Sequence, residues 1–176
     1  MIHFSLPSSN QQSGKECGTY DPDTSIKYYY RNSEIEDCHS LAPRMCRQDA
    51  YEVLTATGSS PLEALLMSFE ISYDCRSIIK NGEVMGMFGC SKMDDISGIP
   101  WLLSNGDFKG FRKKFLKEGK MWVESVQSQH KILFNYVHDQ NSGAIKWLKF
   151  LGFKICREIP NYGFGKHDTF YEFFRV

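Results

Sequence analysis

Apolar and aromatic residues recur along the chain at spacings that predict both strands and helices. Residues 132–137 are mostly apolar or aromatic and are bounded by charge, which predicts a largely buried strand. The polar residues 138–141 end that strand. Apolar residues then follow at helical spacing (Ala144, Trp147, Leu148, Leu151). Gly152 stands where a left-handed residue ends a helix, so the pattern predicts a strand, a turn and a short amphipathic helix.

The beginning of the chain predicts a strand followed by an acidic helix. Residues 26–31 contain three consecutive tyrosines and predict the first strand. Ser33, with Glu36 three residues later, matches a capping box that starts a helix through Leu41. Pro43 interrupts this helix early.

Two further helices are predicted from the residues at their ends. One runs over 47–57 and ends at Gly58. The other begins after Ser60, a suitable N-cap residue, with Pro61 at the first helical position.

The rest of the chain predicts a largely antiparallel sheet. Asn81-Gly82 is a two-residue hairpin signal, and Gly86 and Gly89 in the following strand indicate a bulge or a close backbone approach. The remaining strands are predicted over 75–80, 83–90, 99–104, 154–159 and 169–175. A long basic helix lies before residue 132, with Asp107 near its first turn as a cap. The apolar residues of this segment are assigned to the core (Phe108, Phe111, Phe115, Trp122, Val126).

Composition limits the classes of protein. The chain has 176 residues, 41% of them hydrophobic and 14% aromatic, which predicts one globular domain over 25–176. Residues 1–24 are mostly polar and predict an N-terminal extension, either disordered or lying across the domain. The net charge of zero argues against nucleic-acid binding by bulk charge. No apolar run approaches the ~20 residues of a membrane span. The N-terminus also lacks a basic start and an apolar core, so we expect a cytoplasmic protein. The six cysteines lack C-x-x-C spacing, so neither a metal site nor a disulfide framework is expected.

The run from Asn141 through Ala144 to Leu151-Gly152-Phe153 resembles the last motif of the GCN5-related N-acetyltransferase (GNAT) family, NxxAxxxYxxxGF. The strand and acidic helix at the start, with Asp37 and Leu41, are similar to the family's opening. The resemblance implies an α+β fold with a mixed, mostly antiparallel sheet flanked by helices. It also implies transfer of an acetyl group from acetyl-CoA to an amine.

The resemblance implies that acetyl-CoA binds at the loop after the fourth main strand. Backbone amides there, together with a helix N-terminus, hold a pyrophosphate in the family. The two glycines of this loop are four residues apart, and the family's GxG spacing is missing. The basic helix face is open to three readings, as a solvated surface, a phosphate site or a docking patch for an acidic partner. The cofactor-binding candidates are Leu103, Ser104, Asn105, Gly106, Lys109, Gly110, Arg112 and Asn141, the last of which could instead cap its helix.

Candidate catalytic residues are fewer. The tyrosine of the family motif, its usual proton donor, is replaced by Leu148, and Tyr136 or Tyr162 could substitute for it. His138 follows a strand beside the expected cleft, and histidine as a residue type suits proton transfer near neutral pH, although a turn histidine can also be simply exposed. Glu70 is a further candidate base. Asp94 and Asp95 are weaker ones, since loop carboxylates are usually solvated.

The Pro-Trp strand, the basic helix and the Leu148 substitution together resemble a group of small GNAT-like proteins of tailed bacteriophages that includes an internal core protein of T7-like phages. Two hypotheses follow. The chain is an N-acetyltransferase for an unknown protein or small-molecule amine, or it is a catalytically inactive protein that acts in virion assembly or binds a host protein. Phage or host proteins are therefore possible partners, and the expected location is the host cytoplasm or the virion.

Overall fold

The computed structural model of the chain describes residues 19–20 and 27–176, which form one sheet with helices on both faces. The strands are β1 (Thr19–Tyr20), β2 (Lys27–Asn32), β3 (Ser72–Lys80), β4 (Glu83–Lys92), β5 (Ser97–Ser104), β6 (Ile132–His138), β7 (Lys154–Tyr162) and β8 (Asp168–Arg175). The helices are α1 (Ile35–Leu41), α2 (Arg47–Thr57), α3 (Pro61–Ile71), α4 (Arg112–Gln127) and α5 (Ser142–Phe150), with a 3₁₀ turn over Ala42–Arg44. The predicted extension, residues 1–24, lies outside the described residues except for β1.

The strand order is β1-β2-β3-β4-β5-β6-β8-β7. All neighbouring strands are antiparallel except β5 and β6, which are parallel and pair only at Ser97 with Ile132 and Gly98 with Leu133. Beyond these two pairs β5 and β6 diverge, so the sheet opens toward their C-terminal ends. The prediction of a mixed, mostly antiparallel sheet flanked by helices is confirmed.

The hairpin between β3 and β4 follows from its two turn residues. Asn81 and Gly82 have φ values of 52° and 86°, as a type I′ turn requires. Ile78 pairs with Gly86 and Ile79 pairs with Val84, so β4 carries a one-residue bulge at Met85. The prediction of a bulge near Gly86 is confirmed.

Each face of the sheet packs against its own set of helices. Under α4 and α5 lies an aromatic core that includes the N-cap residue Phe111 and the α4 side chains Phe115, Trp122 and Val126, and Phe108 packs against it. The predicted apolar stripe is therefore confirmed, and burying a side chain of this size contributes about 1.5–3 kcal/mol. The opposite face packs against α1 and α3 through a smaller core that includes Leu41 and Leu65.

Several predicted boundaries differ from the structure, among them those of β3, β4 and β5, which extend two or three residues beyond the predicted strands at one end. α1 begins after Glu34, which forms the capping box with Asp37, whereas the hydroxyl of Ser33 is 2.8 Å from that of Ser77. β2 extends through Asn32, and this moves the start of α1 by one residue. β7 continues past Pro160 to Tyr162, which an edge strand tolerates because its outer N–H groups need no partner.

The prediction that Asp107 caps α4 is wrong. α4 begins only at Arg112, and Asp107 instead forms an ion pair with Lys80. The other predicted helix ends are confirmed: Gly58 and Gly152 have φ values of 76° and 90°, and the side chain of Ser60 accepts a hydrogen bond from the Glu63 amide. In the described part of the chain, no helix is long and apolar enough to cross a membrane.

Candidate active site

A cavity of about 970 Å³ occupies the gap between the diverging strands β5 and β6. Residues 100–104 of β5 and 135–137 of β6 line it, together with residues of α2, α3, α4 and α5 and the loop before α4. Nδ2 of Asn135 donates a 3.0 Å hydrogen bond to the carbonyl oxygen of Pro100 near the point where the strands separate. The cavity is therefore a direct result of the short parallel pairing.

Helix α2 is attached to β5 at one side of the gap. The Asp49 carboxylate accepts hydrogen bonds from the Ser104 amide at 2.8 Å and from the Ser104 hydroxyl at 3.2 Å. The Cys46 amide donates to the carbonyl oxygen of Ser104 at 2.9 Å. Burial raises the pKa of Asp49, which the hydrogen bonds from Ser104 only partly oppose.

The same helix is attached to the other side of the gap through Glu52. Its Oε2 accepts a 2.8 Å hydrogen bond from Nδ2 of Asn141, and Oδ1 of Asn141 accepts from the Ala144 amide at 3.1 Å as the N-cap of α5. Burial raises the pKa of Glu52 to about 7. A carboxyl with this pKa can accept or release a proton near neutral pH.

Asp49 and Glu52 were not predicted as site residues. They occupy one face of α2 together with Cys46, Val53 and Ala56, and all five line the cavity. Their helical spacing (positions 46, 49, 52 or 53, and 56) could have identified Asp49 and Glu52 from the sequence. This spacing places two carboxylates on the same helical face as small apolar residues.

His138 does not line this cavity. It lies beside a second, smaller pocket of about 510 Å³ with Arg47, Gln48, Tyr51, Gln140 and Asp168. Its Nε2 and the Tyr51 hydroxyl lie 3.1 and 3.0 Å from the same oxygen of Asp168, and its Nδ1 accepts from the Gln140 amide at 3.1 Å. Asp139 approaches Nδ1 at 3.3 Å, but Nδ1 has no proton to donate while it accepts from Gln140. Both ring nitrogens are thus occupied, and the structure separates His138 from the cavity.

The other predicted catalytic residues are divided between the cavity and the surface. Glu70 is exposed near the end of α3 and does not line the cavity. Asp94 accepts hydrogen bonds from the amides of Ile96 and Ser97, and Asp95 pairs with Lys92, so both belong to the β4–β5 turn.

Tyr136 does line the cavity, and its ring lies 4.7 Å from that of Tyr162. Burial raises the pKa of both phenols. Leu148 lines the cavity as well and carries no proton to donate.

The loop between β5 and α4 uses several of its own side chains as acceptors. The amides of Gly106, Asp107 and Lys109 donate to Oγ of Ser104, Oδ1 of Asn105 and Oδ1 of Asp107, at 3.2, 2.9 and 3.3 Å. Gly106 and Gly110 have φ values of 80° and 90°, which glycine adopts without strain. The amides of Asn105, Phe108 and Phe111 donate to the carbonyl oxygens of Met85, Gly106 and Phe108 at 2.8, 3.1 and 3.4 Å. The predicted cofactor residues of this loop therefore stand together, and six of the seven amides over 105–111 are already occupied.

The N-terminus of α4 is the open part of this loop. Among the described residues, the amides of Gly110, Arg112, Lys113 and Lys114 have no hydrogen-bond acceptor, as the first turn of a helix requires. Lys109 and Arg112 line the cavity beside them, and the Arg112 guanidinium lies 5.4 Å from the centre of the Trp147 ring. Unpaired amides, a helix N-terminus and two cations together suit an anionic group. The described residues contain no group of three or more His, Cys, Asp or Glu side chains that could hold a metal ion.

The fold is that of the GNAT acetyltransferases, and solved structures of that family superpose on the chain. Ard1 from Thermoplasma volcanium has a TM-score of 0.63 at 20% identity and covers 85% of this chain and 97% of its own. A GNAT acetyltransferase from Bacillus anthracis has a TM-score of 0.63 at 9% identity, covering 85% and 94%. The yncA protein from Salmonella typhimurium, solved with its cofactor acetyl-CoA, has a TM-score of 0.59 at 15% identity, covering 84% and 92%.

These likenesses define the fold of the chain. No sequence model of a protein family matches it, and no curated protein is significantly similar to it.

Proposed function

We propose that the chain is an N-acetyltransferase that transfers an acetyl group from acetyl-CoA to an amine, with Glu52 as the general base. The observation that carries this proposal is the position of Glu52, whose pKa is raised to about 7, inside the gap between β5 and β6. The GNAT fold, and acetyl-CoA as the cofactor of a structural neighbour, support the choice of cofactor.

The residues at the end of β5 fit the phosphates of this cofactor. Lys109 and Arg112 would pair with the phosphate charge, and the open amides of Gly110 and the first turn of α4 would donate to its oxygens. Lys80 holds Asp107 in an ion pair, which partly neutralises the one carboxylate of the loop. Because six of the seven amides over 105–111 are already occupied and the Gly110 amide has no acceptor among the described residues, the phosphate site is centred on Gly110 rather than Gly106.

Glu52 and the residues around it account for the proton transfer. Acetyl-CoA, when bound, supplies an acetyl group whose bond to sulfur breaks as the amine nitrogen bonds to the carbonyl carbon. Glu52 removes a proton from the ammonium form of the acceptor, which makes the nitrogen pair available. A second proton leaves the nitrogen as the amide forms and neutralises the departing thiolate. Asn141 holds the Glu52 carboxylate toward the cavity through its 2.8 Å hydrogen bond and is therefore a positioning residue.

Leu148 does not prevent this reaction. A thiol has an ordinary pKa of about 8.5, so a departing thiolate needs little help from a proton donor near neutral pH. Tyr136 and Tyr162 stay protonated because burial raises their pKa, and they line the same cavity. The absence of the usual tyrosine therefore removes an optional proton donor.

Titration calorimetry with acetyl-CoA, followed by a thiol-release assay over a panel of amines, tests the proposal. We expect saturable binding and amine-dependent thiol release that Glu52→Gln lowers by at least about 100-fold while acetyl-CoA still binds. Absence of binding at millimolar acetyl-CoA would exclude the acetyltransferase function.

A second candidate function is that of a catalytically inactive protein acting in virion assembly or binding a host protein. Two observations favour it. Six of the seven amides over 105–111 are already occupied, and the exposed lysines of this segment form a basic row (Lys109, Lys113, Lys117 and Lys120). The resemblance to phage internal core proteins would then define the partner as an acidic phage or host protein, with the chain located in the host cytoplasm or virion. Failure of acetyl-CoA binding, combined with binding of such a protein that is lost on reversing these charges, would favour this alternative.

A further inference from the structure

The part of the cavity that faces α2 and α3 differs in chemistry from the part that faces α4. On this side the rings of Tyr136, Tyr162 and Phe170 follow one another at centroid distances of 4.7 and 4.8 Å. The series continues through His138 to Tyr51 of α2, which places these rings on the α2 face of the sheet. Trp101 of β5 and Met67 of α3 also line the cavity on this side. We call the part of the cavity lined by these two residues and by Tyr136, Tyr162 and Phe170 the aromatic chamber.

The aromatic chamber is closed where α2 meets the hairpin between β7 and β8. The Phe164 amide donates a 2.9 Å hydrogen bond to the carbonyl oxygen of Thr55 at the end of α2. Gly163 stands so close that a Cβ there would lie 2.2 Å from the same oxygen. The Tyr51 hydroxyl bonds to Asp168 at 3.0 Å and ties an earlier turn of α2 to β8. These contacts hold the tip of the hairpin and the start of β8 against α2.

Charges are distributed unevenly along the cavity. The lysine and arginine side chains among its described lining residues are Lys109 and Arg112, which both stand at the α4 end. On the α2 side the charged groups are the carboxylates of Asp49 and Glu52, and Asp49 is bonded to Ser104. The ammonium group of a ligand in the aromatic chamber can therefore pair with a protein carboxylate. A carboxylate on the ligand would find no lysine or arginine there among the described lining residues.

We infer that the acceptor is a small primary amine on an aromatic carrier that lacks a neighbouring carboxylate, such as a 2-arylethylamine. This inference rests on the proposed acetyltransferase function and names its substrate class. The aromatic rings bury the carrier, which contributes roughly 25 cal/mol per Å² of apolar area. Glu52 receives the ammonium and removes its proton, so recognition and catalysis use the same carboxylate.

A panel of acceptors in the thiol-release assay with the full chain and acetyl-CoA tests the inference. We compare 2-phenylethylamine with phenylalanine, which adds a carboxylate, with spermidine, which lacks a ring, and with a tripeptide bearing a free N-terminal alanine. We expect kcat/KM for 2-phenylethylamine to exceed the other three by at least tenfold. Equal or better turnover of the tripeptide or spermidine would overturn the inference.

A pair of variants tests the missing cation directly. Met67 and Ile71 lie one turn apart on α3 and are 58% and 59% exposed, but only Met67 lines the cavity. Met67→Lys should reduce the preference for 2-phenylethylamine over phenylalanine by roughly fivefold, the effect of one partly exposed ion pair. Ile71→Lys should leave the preference unchanged, and an equal change in both variants would contradict the assignment of the aromatic chamber.

The outcomes separate this inference from the proposed function. If calorimetry detects no acetyl-CoA binding, the proposed function itself fails. If acetyl-CoA binds and 2-phenylethylamine is not turned over, the acceptor inference alone is overturned.

Discussion

Glu52 and Asn141 are 89 residues apart in sequence and joined by one 2.8 Å hydrogen bond that connects α2 to the N-terminus of α5. The two polar ends of the Asn141 side chain are thereby both used, one by Glu52 and the other by the Ala144 amide. The cap of a helix and the position of a carboxylate in the cavity depend on the same side chain. Chemistry at Glu52 is therefore linked to the local stability of α5.

Replacing Glu52 by glutamine should lower kcat for amine acetylation by at least about 100-fold, the usual contribution of a general base. The affinity for acetyl-CoA should change less than twofold, because Glu52 faces the acceptor side. Glu70→Gln is the matched control, since Glu70 is an exposed carboxylate on α3 outside the cavity. Equal losses of activity in both variants would argue against Glu52 as the base.

The pH dependence of the wild type should report the same carboxyl. Because the pKa of Glu52 is raised to about 7, the basic form predominates only above that pH. We expect kcat/KM for a fixed amine to rise through about pH 7 as Glu52 loses its proton. This limb should disappear in the residual activity of Glu52→Gln, and its persistence would assign the pH dependence to another group.

The free energy of unfolding should also depend on the charge of Glu52, and unlike the activity it should fall as the pH rises. Its pKa rises from 4.5 in the unfolded chain to about 7 in the folded one, so the folded protein binds more protons between these values and loses stability as pH rises. At about 1.4 kcal/mol per pKa unit, the cost above pH 7 reaches roughly 3 kcal/mol. Glu52→Gln should therefore raise the Tm at pH 8 and change it little at pH 4.5. A uniform shift across this range would mean that the charge of Glu52 is not its cause.

Removing the cations beside the loop should weaken acetyl-CoA binding. Lys109→Ala and Arg112→Ala should each raise the calorimetric Kd by roughly three- to tenfold at low salt, with a smaller effect at high salt. Lys113→Ala is the control, because Lys113 is exposed on the same helix turn but does not line the cavity. A similar loss in Lys113→Ala would show that the helix acts only through its overall charge.

The contact between the β7–β8 hairpin and α2 can be tested with two glycines of similar backbone conformation. Gly82 and Gly163 have φ values of 86° and 80°, but a Cβ on Gly82 meets nothing within 4 Å whereas one on Gly163 meets the Thr55 carbonyl oxygen. Alanine should cost about 1–2 kcal/mol at Gly82 from backbone strain alone. Gly163→Ala should cost more by about 1–3 kcal/mol, measured by urea unfolding. Equal costs would mean that the hairpin does not close against α2.

Local sequence signals defined most of the elements but few of the site residues. Asn81-Gly82 and Gly152 act through their own backbone conformations, so their turns could be predicted from neighbouring residues alone. From the sequence alone, the face of α2 that carries Glu52 would be assigned to the solvent-exposed surface. Its burial depends on the divergence of β5 from β6 and on Asn141, which is 89 residues later in the sequence. His138 turns away from the cavity because Asp168 reaches it from β8, which no local pattern announces.

Because β5 and β6 diverge, the helices on the two faces of the sheet differ in the free energy that is needed to detach them. On one face α4 buries Phe115, Trp122, Val123 and Val126, whereas α2 on the other has no fully buried residue and is held mainly by hydrogen bonds. Helices with few buried apolar contacts detach at a lower free energy than the rest of a domain. Transient detachment of α2 would admit an acceptor while the aromatic core stays folded, and the amides of α2 should then exchange with solvent well before those of α4.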